Sequence, residues 1–137
     1  MKILFDTNVI LDVLLQREPW RAEADVLWKA NDAGKLTGFV TATTITDVFY
    51  IARKLPPGAE RAFQAVRTCL AAFQICAVER QTLEQALALP GTDFEDNVQI
   101  VCVQLSSLDG VVTRDIDGFT GAPCPVYSPA DLLARLP

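Results

Sequence analysis

Short apolar runs alternate along this chain with longer segments of helical periodicity, and that alternation restricts the fold more than any other feature. Lys2–Asp6, Gly38–Ala42, Gln74–Val78, Gly110–Thr113 and Pro125–Tyr127 read as strands. Helical segments fall between them: Asn8–Leu15 (closed by the polar stretch Gln16–Pro19), Trp20–Ala33, Thr44–Lys54 and a segment marked by Phe63, Val66, Leu70 and Phe73. Thr82–Leu89, Phe94–Leu105 and Pro129–Leu136 follow. In Thr44–Lys54, Ile45, Val48, Phe49 and Ala52 share one helical face. Gly34 stands where a helix C-terminal glycine belongs, while Pro56-Pro57-Gly58 and Pro90-Gly91 stop two other helices. Strands alternating with helices predict an α/β domain with a mainly parallel central sheet covered on both faces. In such sheets ligands sit beyond the carboxyl ends of the strands.

A length of 137 residues suits one compact domain, 1–137, and a hydrophobic half of the composition supplies a full core. The net charge of −5 speaks against a general nucleic-acid coat, so RNA binding would need local basic patches or a basic partner. Histidine is absent. That removes His-based triads, His general bases and His-ligated zinc together, and leaves acid, base and metal work to Asp and Glu. The four cysteines form no C-x-x-C pair and read as reduced, buried thiols. Met1–Phe5 meets Asp6 too soon for a signal peptide, and no uncharged run approaches the ~20 residues of a membrane span. A soluble, cytoplasmic protein is expected.

Three acids fall where such a fold places its ligands: Asp6 after the first strand, Asp96 at the entrance to the long helix, and Asp115 after the fourth strand. Each also has an ordinary explanation. Asp6 can cap a helix, and Asp115 can accept backbone N–H bonds in a turn. Thr92 and Glu95 fit a capping box with Asp93 as an alternative cap, and Asp47 fits the distal position of a box beginning at Thr44. Asp96 is needed for neither capping job, although acids in a first turn suit the helix dipole. Taken together, carboxylates that converge repel one another and need a cation. Hard oxygen ligands without imidazole point to Mg²⁺ or Mn²⁺ rather than zinc.

Asp6-Thr7-Asn8-Val9-Ile10-Leu11-Asp12 resembles the opening motif of PIN domains, including the VapC-like toxins of toxin–antitoxin pairs. Thr44-Ile45-Thr46-Asp47-Val48-Phe49-Tyr50 is similar to their second motif, Asp93-Phe94-Glu95-Asp96-Asn97-Val98-Gln99 to the third, and Val112-Thr113-Arg114-Asp115 to the fourth. The resemblance covers nearly the whole chain in order and spacing. It implies a PIN-like three-layer α/β/α domain, with Asp6, Asp96 and Asp115 as the catalytic, metal-holding residues and Mg²⁺ or Mn²⁺ as cofactor. Asn8 and Thr113 would support them by hydrogen bonds, and Asp47 and Asp93 are further candidates at the metal. Many family members carry Glu where this chain has Asp47, whose reach is about one methylene shorter. Asp12 and Asp117 are assigned to the surface.

The activity so implied is metal-assisted hydrolysis of RNA phosphodiesters that leaves a 5′-phosphate and a 3′-hydroxyl. Arg114, beside Asp115, is the candidate RNA-phosphate contact among Arg17, Arg21, Arg53, Lys54 and Arg114. The implied partners are RNA, a small antitoxin and a second copy in a homodimer. Rival readings are a haloacid-dehalogenase-type phosphatase, opposed by Asn8 where a second Asp is required, and a receiver-like signalling module, opposed by the lack of a late Lys. A third is a PIN-fold scaffold without turnover.

Overall fold

The computed structural model describes residues 1–137. Five strands form one sheet: β1 (Lys2–Phe5), β2 (Thr37–Thr41), β3 (Gln74–Cys76), β4 (Gly110–Val112) and β5 (Val126–Tyr127). Their order is β3-β2-β1-β4-β5, and every neighbouring pair is parallel. The helices are α1 (Thr7–Leu14), α2 (Arg21–Asp32), α3 (Ala42–Ala52), α4 (Ala59–Ala72), α5 (Arg80–Ala88), α6 (Phe94–Leu105) and α7 (Pro129–Leu133). The expected α/β architecture is thus the observed one. None of the helices is long and apolar enough to cross a membrane.

Alternation along β1 divides the core in two. Ile3 and Phe5 join the larger cluster, which includes residues of α1, α2, α3, α4 and α7. Leu4 points the other way into a smaller cluster with Ala86 of α5 and Val98, Val101 and Cys102 of α6. A strand buried on both faces must be apolar at consecutive positions, and Ile3, Leu4 and Phe5 are all essentially inaccessible. The four thiols are free, and Cys69, Cys76 and Cys102 are buried.

The strand order reverses at β1: β2 and β3 build outward on one side, β4 and β5 on the other. The carboxyl ends of β1 and β4 therefore flank the crevice where open α/β sheets bind ligands. Register places Phe5 beside Val112, so the residues following both strands emerge together.

Local differences from the sequence reading have physical causes. Asp6 lies outside β1, at the N-cap position of α1. Thr41 ends β2 and caps α3 through a 3.0 Å bond from the Thr44 N–H, so α3 starts at Ala42 rather than Thr44. A short 3₁₀ helix, Ile116–Phe119, follows β4, and α7 ends at Leu133 rather than Leu136.

Candidate active site

Asp6 is the most deeply placed acid of the crevice, only 5% exposed. It occupies a cap position, yet its side chain makes no capping bond. Its oxygens are taken instead by two neutral donors, Gln99 Nε2 at 3.0 Å and Thr113 Oγ1 at 2.8 Å. Desolvation raises its pKa, and these two bonds pull against that rise. Thr113, which the resemblance names as a supporting residue, is thus hydrogen-bonded to Asp6. Gln99, to which the sequence analysis assigned no role, holds the other oxygen.

Asp6, Asn8, Asp47, Asp93, Glu95, Asp96 and Asp115 line one cavity of about 320 Å³, together with Thr7, Leu11 and Ile51. α6 and its N-cap supply three of the six acids, and the turn before it is fixed by Asn97, whose amide donates to the Ala86 and Gly91 carbonyls. Asp93 is the helix cap: its carboxylate accepts the Asp96 N–H at 3.0 Å. The Thr92–Glu95 capping box does not form.

Glu95 is consequently free to face the cavity. It accepts a 3.3 Å bond from Thr7 Oγ1, which itself continues a chain of buried hydroxyls through Thr44 and Thr41. Burial, then a hydrogen bond and charge repulsion from Asp47, push the Glu95 carboxyl up to about 7. Asp47 is likewise released from capping, because Thr41 rather than Thr44 caps α3. Glu95, like Gln99, was given no site role in the sequence analysis, because a capping explanation was at hand for it.

Asp96 and Asp115 face each other across Gly118. A Cβ built on that glycine would stand 2.7 Å from Asp115 Oδ2 and 3.0 Å from Asp96 Oδ2, so a side chain there would have to displace the carboxylates. Asp115 also accepts the Gly118 N–H at 3.3 Å, so its turn-capping role is real and occupies one oxygen only. Burial first, then the charges of Asp93, Asp6 and Asp115, raise Asp96 to about 7.

Three residues behave otherwise than expected. Arg114, the candidate phosphate contact, turns away from the cavity: its Nε donates to Asp12 Oδ2 at 2.8 Å, and its guanidinium lies 3.8 Å from the Trp20 ring centre. Asp12, assigned to the surface, is 1% exposed because this arginine neutralises it. Asn8 lines the cavity but makes no side-chain hydrogen bond that would define a supporting role. Asp117 is exposed, as expected.

The donor set consists of hard carboxylate oxygens, and their mutual repulsion raises proton affinity where a cation could take the proton's place. In donor chemistry the residues fit Mg²⁺ or Mn²⁺. No three of the acidic side chains, however, already stand close enough to hold one ion.

A family model described as a PIN domain matches residues 2–117. No curated protein sequence matches the chain. Among solved structures, the fold is similar to a toxin–antitoxin complex from Klebsiella pneumoniae, at 26% identity and a TM-score of 0.70, over 93% of this chain and 97% of that one. Mycobacterium tuberculosis VapC20, described as a sarcin–ricin-loop-cleaving toxin, aligns with a TM-score of 0.69 at 15% identity, over 85% and 92%. DNA-bound VapBC from Salmonella typhimurium gives 0.67 at 17%, over 94% and 98%. With a model match across most of its length and this strand order around an acidic crevice, the chain belongs to the PIN-domain family.

Proposed function

We propose that this protein is a divalent-metal-dependent endoribonuclease acting as the toxin of a toxin–antitoxin pair. The observation that carries the reading is the set of carboxylates around one crevice, with Asp6 buried among neutral donors and Asp96 pushed up by burial and then by its acidic neighbours. Family membership and the likeness to toxin structures point the same way.

Asp6, Asp96 and Asp115 would hold Mg²⁺ or Mn²⁺, with Asp47 and Asp93 nearby. When bound, such an ion polarises the phosphodiester and lowers the pKa of a water molecule. Gln99 and Thr113 fix the direction of the Asp6 carboxylate, so that little reorganisation is needed as charge develops. Glu95, titrating near neutrality and sharing a hydrogen bond with Asp47, is suited to take the proton from the attacking water. In-line attack leaves a 5′-phosphate and a 3′-hydroxyl. The acidic cavity suits an inhibitor that offers Arg or Lys, which is the complementarity an antitoxin would use. Co-purification of the native complex tests that partner, and sedimentation of the free toxin tests the homodimer.

A second reading, a PIN-fold scaffold without turnover, is favoured by the separation of the carboxylates. Cleavage of RNA by purified protein in Mn²⁺, set against EDTA and the Asp6→Asn variant, separates the two. Cleavage that survives EDTA, or equals wild type in Asp6→Asn, overturns the nuclease assignment.

A further inference from the structure

The turn after β4 sends three successive side chains to three different anchors. Thr113 Oγ1 donates to Asp6 Oδ2 and accepts the Asp115 N–H at 3.0 Å. Asp115 folds over its own 3₁₀ turn toward Gly118. Arg114, between them, reaches in another direction and grips Asp12 through Nε at 2.8 Å and Nη2 at 3.4 Å. Its flat guanidinium is covered by the Trp20 ring. Asp6 stands at the N-cap of α1 and Asp12 in its last turn, so the helix and the turn after β4 are tied at two points.

A buried ion pair is a weak source of stability, because desolvating both charges offsets their attraction. What a two-point arginine–carboxylate bond provides is direction, and stacking on an indole fixes the plane of the guanidinium as well. Here the direction so fixed is that of the turn Thr113–Asp115, which carries the acid Asp115.

We propose that Asp12 and Trp20 are positioning residues: they clamp Arg114 so that Asp115 is presented to Asp96 across Gly118. The inference rests on the reading of Asp96 and Asp115 as metal-holding carboxylates. It assigns Arg114 to the placement of metal ligands rather than to RNA phosphate.

The test measures Mn²⁺ affinity directly, from the electron paramagnetic resonance signal of free Mn²⁺, alongside the metal dependence of RNA cleavage. Wild type, Arg114→Lys, Asp12→Asn, Trp20→Ala and Asp12→Asn/Arg114→Gln are compared with Leu132→Ala, a core variant on α7. Arg114→Lys and Asp12→Asn should weaken Mn²⁺ binding by about tenfold, the scale on which supporting contacts act on bound metals. Cleavage should recover largely at saturating Mn²⁺, and Trp20→Ala should lose less. The double variant should be no weaker than either single one, since the pair acts as a unit. Leu132→Ala should melt lower with unchanged affinity. If Asp12→Asn does not fold, Arg114→Lys carries the comparison. A folded Arg114→Lys protein that binds Mn²⁺ like wild type, with only a higher KM for RNA, overturns the clamp and returns Arg114 to phosphate contact. Equal weakening by Leu132→Ala also overturns it. A wild type that takes up no Mn²⁺ overturns the metal-site reading, and the clamp with it.

Discussion

Two aspartates at opposite ends of one short helix are buried to nearly the same depth and are treated in opposite ways. Asp12, 1% exposed, meets the Arg114 guanidinium, so its charge is cancelled within the protein. Asp6, 5% exposed, meets only an amide and a hydroxyl, with Asp96 and Asp115 adding charge of the same sign. Burial alone therefore does not mark a functional acid. The difference lies in whether the fold supplies the counter-charge or leaves it to be supplied from outside.

The largest expected effect is on catalysis. Asp6→Asn, Asp96→Asn and Asp115→Asn should each slow RNA cleavage by at least about a hundredfold, the scale of losing one preorganised transition-state contact. Asp47→Asn should cost less. Single-turnover rates in Mn²⁺ measure this, and a fully active Asp6→Asn protein would break the distinction between the two aspartates.

Stability should separate the paired Asp12 from the crevice acid Asp96 with opposite signs. Asp12→Asn strands a partly buried guanidinium and should cost about 3 kcal/mol or more in urea unfolding. Asp96→Asn, which relieves repulsion, should leave the metal-free protein as stable as wild type or more so. Equal losses at both positions would mean that Asp96 is a structural residue.

Metal should then act on one acid group only. At a hundredfold excess over its dissociation constant, Mn²⁺ should stabilise the wild type by about 2.7 kcal/mol. Asp6→Asn and Asp96→Asn should gain far less, as read from paired melting curves in EDTA and in Mn²⁺.

The smallest effect concerns pH. Asp96 is raised from 3.8, and Glu95 from 4.5, to about 7 in the folded protein. The folded state therefore retains protons that the unfolded chain has released. Their contribution to stability is fully present below about pH 4 and is lost as pH rises through 7. The melting temperature in EDTA, taken as wild type minus Asp96→Asn, should fall from pH 5 to pH 8. A difference that rises instead contradicts the raised pKa of Asp96.

The layered fold was legible because its signals are local. Phe94–Leu105 reads as a helix and is one, and strands buried on both faces announce themselves as apolar runs. Asp6 and Asp115 were legible as acids directly after such runs. Gln99 and Asp12 were not, because their partners lie 93 and 102 residues away in sequence and no local pattern encodes that meeting. Glu95 was obscured by a competing local rule: Thr92 and Glu95 have capping-box spacing, but Asp93 takes the cap.

The pairing of β1 with β4 also sets a schedule. Asp6 leaves the ribosome well before Thr113, which holds its second oxygen and follows 107 residues later. At cellular elongation speeds of about 5–20 residues per second, that interval is roughly 5–20 s. Until the fourth strand has emerged, the nascent chain has Asp6 but neither Thr113 nor Asp115, so a half-made molecule cannot assemble the crevice. The RNA cleavage proposed for the finished protein would wait on the same strand.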